Sequence, residues 1–474
     1  CAVNPVISRE GELEITPADR KHFTQEELEK GYRLACRAYP TDDITISMAT
    51  QDEAGFSIQV GHGTQEEETE QVDESGYDIA IDIGTTTLAF QLVGKTSKKP
   101  VASFATLNRQ RAFGADVISR IQASCDGKKN ELQKSIREDL MTGIQALVKE
   151  KGIEPSQIDR IAIGGNTTMG HLLMGFSCEG LGVYPFTPVD IGLIEKPFGE
   201  VLGNDYLDAT VILLPGISTY VGGDIVSGLY DCDFGTNPKT ALLVDLGTNG
   251  EMAIGNCERI ITTSTAAGPA FEGGNISWGM GSVQGAICNV KIQDGKAKVT
   301  TIGDKPPVGL CGTGVIETMA ELIEHEYVDE TGRLEDEYFD EGFELAKTVD
   351  GKKITFTQQD VREIQLAKSA VRGGIEVLLR RFGVTYDQVD AVYLAGGFGY
   401  HINQEKSMVI GLIPHEFDGK IKAVGNSSLG GALRYLTEEN AKEEIRQILD
   451  HSTEIDLSQD PDFNDLYMEH MFFE

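Results

Sequence analysis

The chain has 474 residues, with 41 Lys and Arg against 75 Asp and Glu, and its net charge is −34. So acidic a surface repels phosphate backbones and anionic lipid, which argues against nucleic acid or membrane as a partner. No apolar run approaches the ~18 residues of a transmembrane helix, and the eight scattered cysteines read as reduced thiols of a cytoplasmic protein, not a disulfide framework.

The length suggests about three domains. Residues 1–50 read as a small unit of their own. Thr24 with Glu27 forms a capping box that starts a short helix, Gly31 is placed to end it, and Asp42 to Met48 alternates as a half-buried strand. Residues 51–76 form an acidic linker, densest in charge from 62 onward, where Glu66, Glu67, Glu68 and Glu70 repel one another and keep the segment extended. From Tyr77 apolar strands alternate with amphipathic helices, the pattern of an α/β domain. The clearest helix spans about 358–381, capped by Thr357 and Asp360, with Val361, Ile364, Ala367, Val371, Ile375 and Leu378 in one stripe. Its Gly373-Gly374 costs roughly 1 kcal/mol per glycine against alanine, which implies a close backbone approach there.

One phrase recurs, an apolar strand ending in Asp-X-Gly-Thr. The first copy is Ile79-Ala80-Ile81-Asp82-Ile83-Gly84-Thr85-Thr86-Thr87, and the second is Leu242-Leu243-Val244-Asp245-Leu246-Gly247-Thr248-Asn249-Gly250. Each strand delivers a carboxylate to a tight turn whose glycine, hydroxyls and N–H groups can face an anion. Either copy alone reads more simply as a hairpin turn. Two copies, each after a strong strand, point to a pair of loops clamping a triphosphate from both sides, with Asp82 and Asp245 able to hold hydrated Mg²⁺. No Gly-x4-Gly-Lys-Ser/Thr loop is present, so a P-loop ATPase is not supported.

With these turns the sequence resembles the actin, Hsp70 and sugar-kinase superfamily, whose ribonuclease H-like fold sets two α/β lobes around a nucleotide cleft. The resemblance implies lobe I over 77–236, lobe II over 237–422, and an interlobe helix with a C-terminal tail over 423–474. Tyr220 to Leu229 resembles the first interlobe helix, with Asp224 where the superfamily often places an acidic group that positions water or metal. Ala391 to Gly399 resembles the adenosine motif, with Gly396, Gly397 and Phe398 under the base and ribose. Ala423 to Ala432 resembles the second interlobe helix.

Narrower phrases resemble the reductive activators of corrinoid proteins, which use ATP to help return an oxidised Co(II) corrinoid to Co(I) for methyl transfer. These are Ile163 to Met169, Ser264 to Ile276, Gly309 to Gly314, Ile364 to Lys368 and Asp460 to Phe463. The resemblance implies a corrinoid protein or corrinoid-dependent methyltransferase as partner, a low-potential electron donor, and a docking face built by 163–169 and 264–276. Homodimerisation is compatible with it. Ser264 becomes a candidate for the corrinoid itself, against the simpler reading of a loop serine bonded to backbone. The family begins with a plant-type [2Fe-2S] ferredoxin domain of β-grasp fold. Cys36, after Gly31-Tyr32-Arg33-Leu34-Ala35, resembles its last cluster ligand, and Cys1 the final cysteine of the earlier triplet. The other two ligands are expected upstream of this sequence, so the cluster belongs to a longer protein. The competing reading is a sugar or carboxylic-acid kinase of the same fold, which needs a carboxylate base beside an acceptor hydroxyl.

Overall fold

The computed structural model describes residues 5–10, 13–16, 19–20, 25–34, 45–48, 73–247, 249–396 and 402–473. They fall into two compact units, Cys1–Ser57 and Ile58–Glu474.

In the first unit, β1 (Pro5–Glu10) lies between β2 (Tyr32–Leu34) and β3 (Thr45–Met48), antiparallel to both. The expected helix is present as α1 (Gln25–Glu29), and Gly31 follows it at φ 91°, a left-handed conformation that suits glycine. Arg33 is buried and donates to the carbonyls of Leu13, Leu28 and Tyr32. Thr24, the stretch 42–44, Cys1, Cys36 and linker residues 51–72 lie outside the described residues.

The second unit is built on two six-stranded sheets that repeat one plan. In the first, β4 (Tyr77–Ile83), β5 (Thr87–Gly94) and β6 (Pro100–Leu107) form an antiparallel meander. Beside β4 run β7 (Ile158–Gly165) and β9 (Thr210–Leu213) in parallel, and β8 (Ile194–Pro197) closes that edge. Helices α2 (Val117–Ala123), α3 (Lys129–Lys151) and α4 (Thr167–Met174) supply the crossovers before β9, and α5 (Gly223–Asp231) leads out.

The second sheet starts with the same meander: β10 (Ala241–Leu246), β11 (Gly250–Asn256) and β12 (Arg259–Thr265). An insertion follows, with one sheet of β13 (Ala286–Gln293), β14 (Lys296–Thr301) and β15 (Gly309–Leu310) and then a hairpin of β16 (Phe343–Lys347) and β17 (Lys353–Phe356). Between them runs α6 (Gly312–Glu324). Helix α7 (Gln358–Phe382) has the expected Thr357–Asp360 capping box. Then β18 (Ala391–Ala395) and β19 (Ile421–Gly425), with α8 (Gln404–Val409) between them, extend the sheet in parallel beside β10.

Residues 423–474 prove to be more than a helix and a tail. The expected boundary at 422/423 cuts through β19, and after α9 (Ser427–Thr437) and α10 (Ala441–His451) comes β20 (Ser452–Glu454), which pairs with β12 at the far edge of the same sheet. Backbone pairing across this segment makes it part of the second sheet. The final helix, α11 (Phe463–Glu469), packs on α7 at Gly373, where an added Cβ would stand 3.3 Å from the Phe463 ring and 3.5 Å from the Tyr467 nitrogen. This is the close approach that the glycine pair implies.

A shared core joins the two sheets. Ala80, Ala89 and Ala162 of the first sheet and Ala241, Ala253 and Ala395 of the second belong to one buried cluster with α5 and α9. Small side chains on the facing strands let these helices lie close. An added Cβ on Gly431 would meet the Ser227 carbonyl oxygen at 2.1 Å, so the α5 and α9 backbones all but touch.

Candidate active site

The equivalent plan of the two sheets puts Asp82 and Asp245 in equivalent places, each at the end of the first strand of a meander. The Gly84 N–H closes the first turn onto the Thr87 carbonyl at 2.9 Å, and the Gly247 N–H closes the second onto Asn249 at 3.1 Å. Thr85 and Thr86 sit in the open part of the first turn, and Thr86 is exposed. Thr248 lies outside the described residues.

Asp82 is gripped from the other sheet. The Asn426 Nδ2 donates to one carboxylate oxygen at 2.8 Å, and the Ser428 Oγ to the other at 2.7 Å. Both donors sit where β19 passes into α9, and the Asn426 Oδ1 also caps that helix at the Leu429 N–H. The sequence resemblance marked this stretch as the second interlobe helix but did not reveal its hold on Asp82. Gly396, right after β18, is at φ 93°, and a Cβ there would stand 2.8 Å from the Asp245 Oδ1. Both the left-handed backbone and the close approach require glycine. Gly397 and Phe398 lie outside the described residues.

Asp224 enters in the first turn of α5 and accepts from its neighbour Ile225 N–H at 2.9 Å. Two further acids, Glu251 and Glu272, complete the group. Glu251 sits directly across the hairpin from Asp245 and accepts from Asn249 Nδ2 at 3.1 Å. Glu272 comes within 3.9 Å of where a Cβ on Gly247 would stand. In sequence Glu251 follows Gly250 at the end of the second turn, and Glu272 lies inside the singled-out stretch 264–276, just before Gly273-Gly274.

Asp82, Asp224 and Asp245 keep some contact with solvent, yet enough protein surrounds each to disfavour its charge. Burial pushes the Asp224 carboxyl up to about 7, with the Asp82 charge adding to it. Asp245 rises to about 8 through burial and then the charges of Asp224, Asp82 and Glu272. Glu251 lies well above the usual range for the same reasons, and Asp82 is raised because burial outweighs its two hydrogen bonds.

Asp82 and Asp245 are the carboxylates that could hold a cation. Among the described residues no three acidic, His or Cys side chains stand close enough to cage a metal unaided. Hydrated Mg²⁺ asks less of a site, because it takes one or two carboxylates and completes its shell with water and phosphate oxygens. The donors are all oxygen, as a hard cation requires.

Ser264 is on β12 and not in a loop. It pairs across from Glu251, which itself pairs across from Asp245. Directly opposed residues share a face of a sheet, so Ser264, Glu251 and Asp245 form one row, with roughly 10 Å from the first strand to the third. The stretch 163–169 does not build an exposed face: Ile163 to Gly165 and Thr167 to Met169 are buried, and Asn166 turns inward to donate to the Thr85 hydroxyl at 3.0 Å.

Two family models match the chain. The RACo middle region covers residues 77–237, and the C-terminal domain of RACo, the ASKHA domain, covers 239–474. The corrinoid activation enzyme RamQ of Eubacterium limosum is 32% identical over 84% of this chain and 70% of its own length. The chain belongs to the reductive activators of corrinoid proteins. A second member, the [Co(II) methylated amine-specific corrinoid protein] reductase of Methanosarcina barkeri, is 26% identical over 83% of this chain and 76% of its own. A solved reductive activator for a corrinoid, iron-sulfur protein superposes with a TM-score of 0.76 at 28% identity, over 100% of this chain and 92% of that one. The fold is therefore that of the ASKHA activators. No helix among the described residues is long and apolar enough to cross a membrane.

Proposed function

We propose that this chain is an ATP-dependent reductive activator that returns the Co(II) corrinoid of a partner protein to Co(I). The observation that carries the reading is the Asp82 carboxylate, delivered by one sheet and held on both oxygens from the other. A ligand that spans the two Asp turns thereby joins two halves of one machine. The names of the relatives supply the corrinoid partner.

In this reading the turns at Gly84–Thr87 and Gly247–Asn249, Thr248 included, offer N–H and hydroxyl donors to phosphate oxygens. Asp82 and Asp245 would hold hydrated Mg²⁺, and Asp224 and Glu251 position the attacking water. Mg²⁺, when bound, neutralises charge on the phosphates and on the carboxylates facing them. The Gly396-Gly397-Phe398 turn receives the adenosine. Loss of the terminal phosphate removes the link between the halves, and closure and opening of this kind can change how a partner is held. Ser264, in the same row as Asp245, is the candidate contact to the corrinoid. The single electron taken up by cobalt comes from an iron-sulfur domain of the ferredoxin type, to which Cys1 and Cys36 would contribute two ligands, or from an external low-potential donor.

The test uses the whole chain, Mg-ATP and a Co(II) corrinoid protein from the same cell. Binding should shift the corrinoid absorption spectrum and change the ATPase rate. D82A and D245A should each lower hydrolysis by about 10²-fold or more with the far-ultraviolet spectrum unchanged. Phosphate transfer to a sugar or carboxylic acid, with no corrinoid protein bound, would return the assignment to a kinase.

A further inference from the structure

Arg120 is among the largest fully buried side chains, at 0% exposure, in a protein short of positive charge. Its three described contacts are all to neutral groups. Nη2 donates to the Thr85 carbonyl at 2.6 Å, Nε to the Gly114 carbonyl at 2.9 Å, and Nη1 faces the Met169 sulfur at 3.4 Å. The one carboxylate that acts on it is Asp116, and Asp116 is committed to capping α2 through Ser119. Burial lowers the Arg120 pKa to about 10, and the Asp116 charge offsets only part of that fall. A buried cation without a paired anion is strongly disfavoured unless something else supplies the charge.

Its position says what that is. Thr85 stands in the first Asp-X-Gly-Thr turn, and its carbonyl is where Arg120 anchors. A peptide is planar and trans, so the Thr86 N–H of the same unit points away from Arg120. A charge-assisted bond at the carbonyl polarises the peptide and makes that N–H a stronger donor. The same turn is braced at Gly84 by Asn108, itself fully buried, through a 2.9 Å bond to the carbonyl, and at the Thr85 hydroxyl by Asn166.

We propose that Arg120 is a positioning residue for the nucleotide phosphates: it acts from beneath the first turn through the Thr85–Thr86 peptide, and the bound triphosphate is its counter-anion. This rests on the ATP site proposed above. The experiment compares R120Q, which is polar but uncharged, with R120K, which keeps the charge. R120Q should raise the ATP KM about tenfold or more while kcat stays within about threefold. It should also lose most of the nucleotide-induced rise in melting temperature while melting near wild type without nucleotide. R120K should keep KM close to wild type. An unchanged KM in R120Q overturns the proposal, as does an equal loss in both variants, which would mark Arg120 as a packing residue. If R120Q does not fold, the R120K comparison with wild type still decides, because a tenfold KM rise there removes charge as the cause. A wild-type chain that neither binds nor hydrolyses ATP would fail the ATP site itself and leave Arg120 aside.

Discussion

Asp224 and Asp245 hold protons that an unfolded chain would have released. Their folded pKa values, about 7 and about 8, lie far above the ordinary carboxylate range near 4. Between these limits the native state binds more protons than the unfolded state, so stability falls as pH rises from about 4 to about 8. Melting temperature measured in chelator should therefore decline over that range, and D245N should flatten the decline. Mg²⁺ should stabilise more at pH 8 than at pH 6, because protons compete for the same oxygens at the lower pH. A D245N profile parallel to wild type would show that the site does not control the slope. The equivalent placement of Asp82 and Asp245 near the ends of two matching strands was legible in the sequence because strand, acid, glycine and hydroxyl recur together in order. Glu251 was not, since its role comes from cross-strand register with Asp245, which no local pattern encodes. Ser264 was placed in a loop for the related reason that the Thr-Ser-Thr run before Ala266 carries no alternating apolar signal.

Between elements, the tightest requirement is the crossing of α5 and α9. Gly431→Ala puts a methyl group 2.1 Å from the Ser227 carbonyl oxygen, which is backbone and cannot turn aside. Chemical denaturation should show a loss of about 1–3 kcal/mol, together with weaker nucleotide binding, because α9 begins with the groups that hold Asp82. Gly170→Ala in α4 is the contrasting case. Its nearest neighbour is Leu213 Cδ2 at 3.4 Å, an ordinary contact, and alanine favours helix by about 1 kcal/mol, so stability should hold or rise. The order of strands and helices in the Asp-turn region was readable from periodicity. The role of 423–474 was not, because β20 has three residues and pairs with a strand almost 200 positions earlier. The phrase at 163–169 marked the family correctly, but its surface role was misread: Asn166 braces the first Asp-X-Gly-Thr turn from within.

For the whole molecule, an activator of this family needs an electron as well as ATP. This 474-residue polypeptide offers Cys1 and Cys36 as resembling cluster ligands where a plant-type cluster takes four cysteines. The six cysteines described elsewhere are free thiols spread across the second unit, three of them buried. Iron analysis and visible absorption of the purified chain should therefore show no stoichiometric [2Fe-2S] centre. Conversion of Co(II) to Co(I) should then require an added low-potential reductant, with ATP hydrolysis proceeding regardless. Two irons per chain would mean that the first unit has been misread.

The bonds from Asn426 and Ser428 to Asp82 link positions 344 and 346 residues apart in the chain. On a ribosome adding ~5–20 residues per second, Asp82 emerges roughly 20–70 s before its two holders do. During that interval Asp82 lacks both of the donors that hold its carboxylate. Under the role proposed for Asp82, a nascent chain that has not reached Ser428 should not hydrolyse ATP. The proposed site would then be complete only once β19 and the start of α9 have been made, so the order of synthesis would delay activity until both sheets exist.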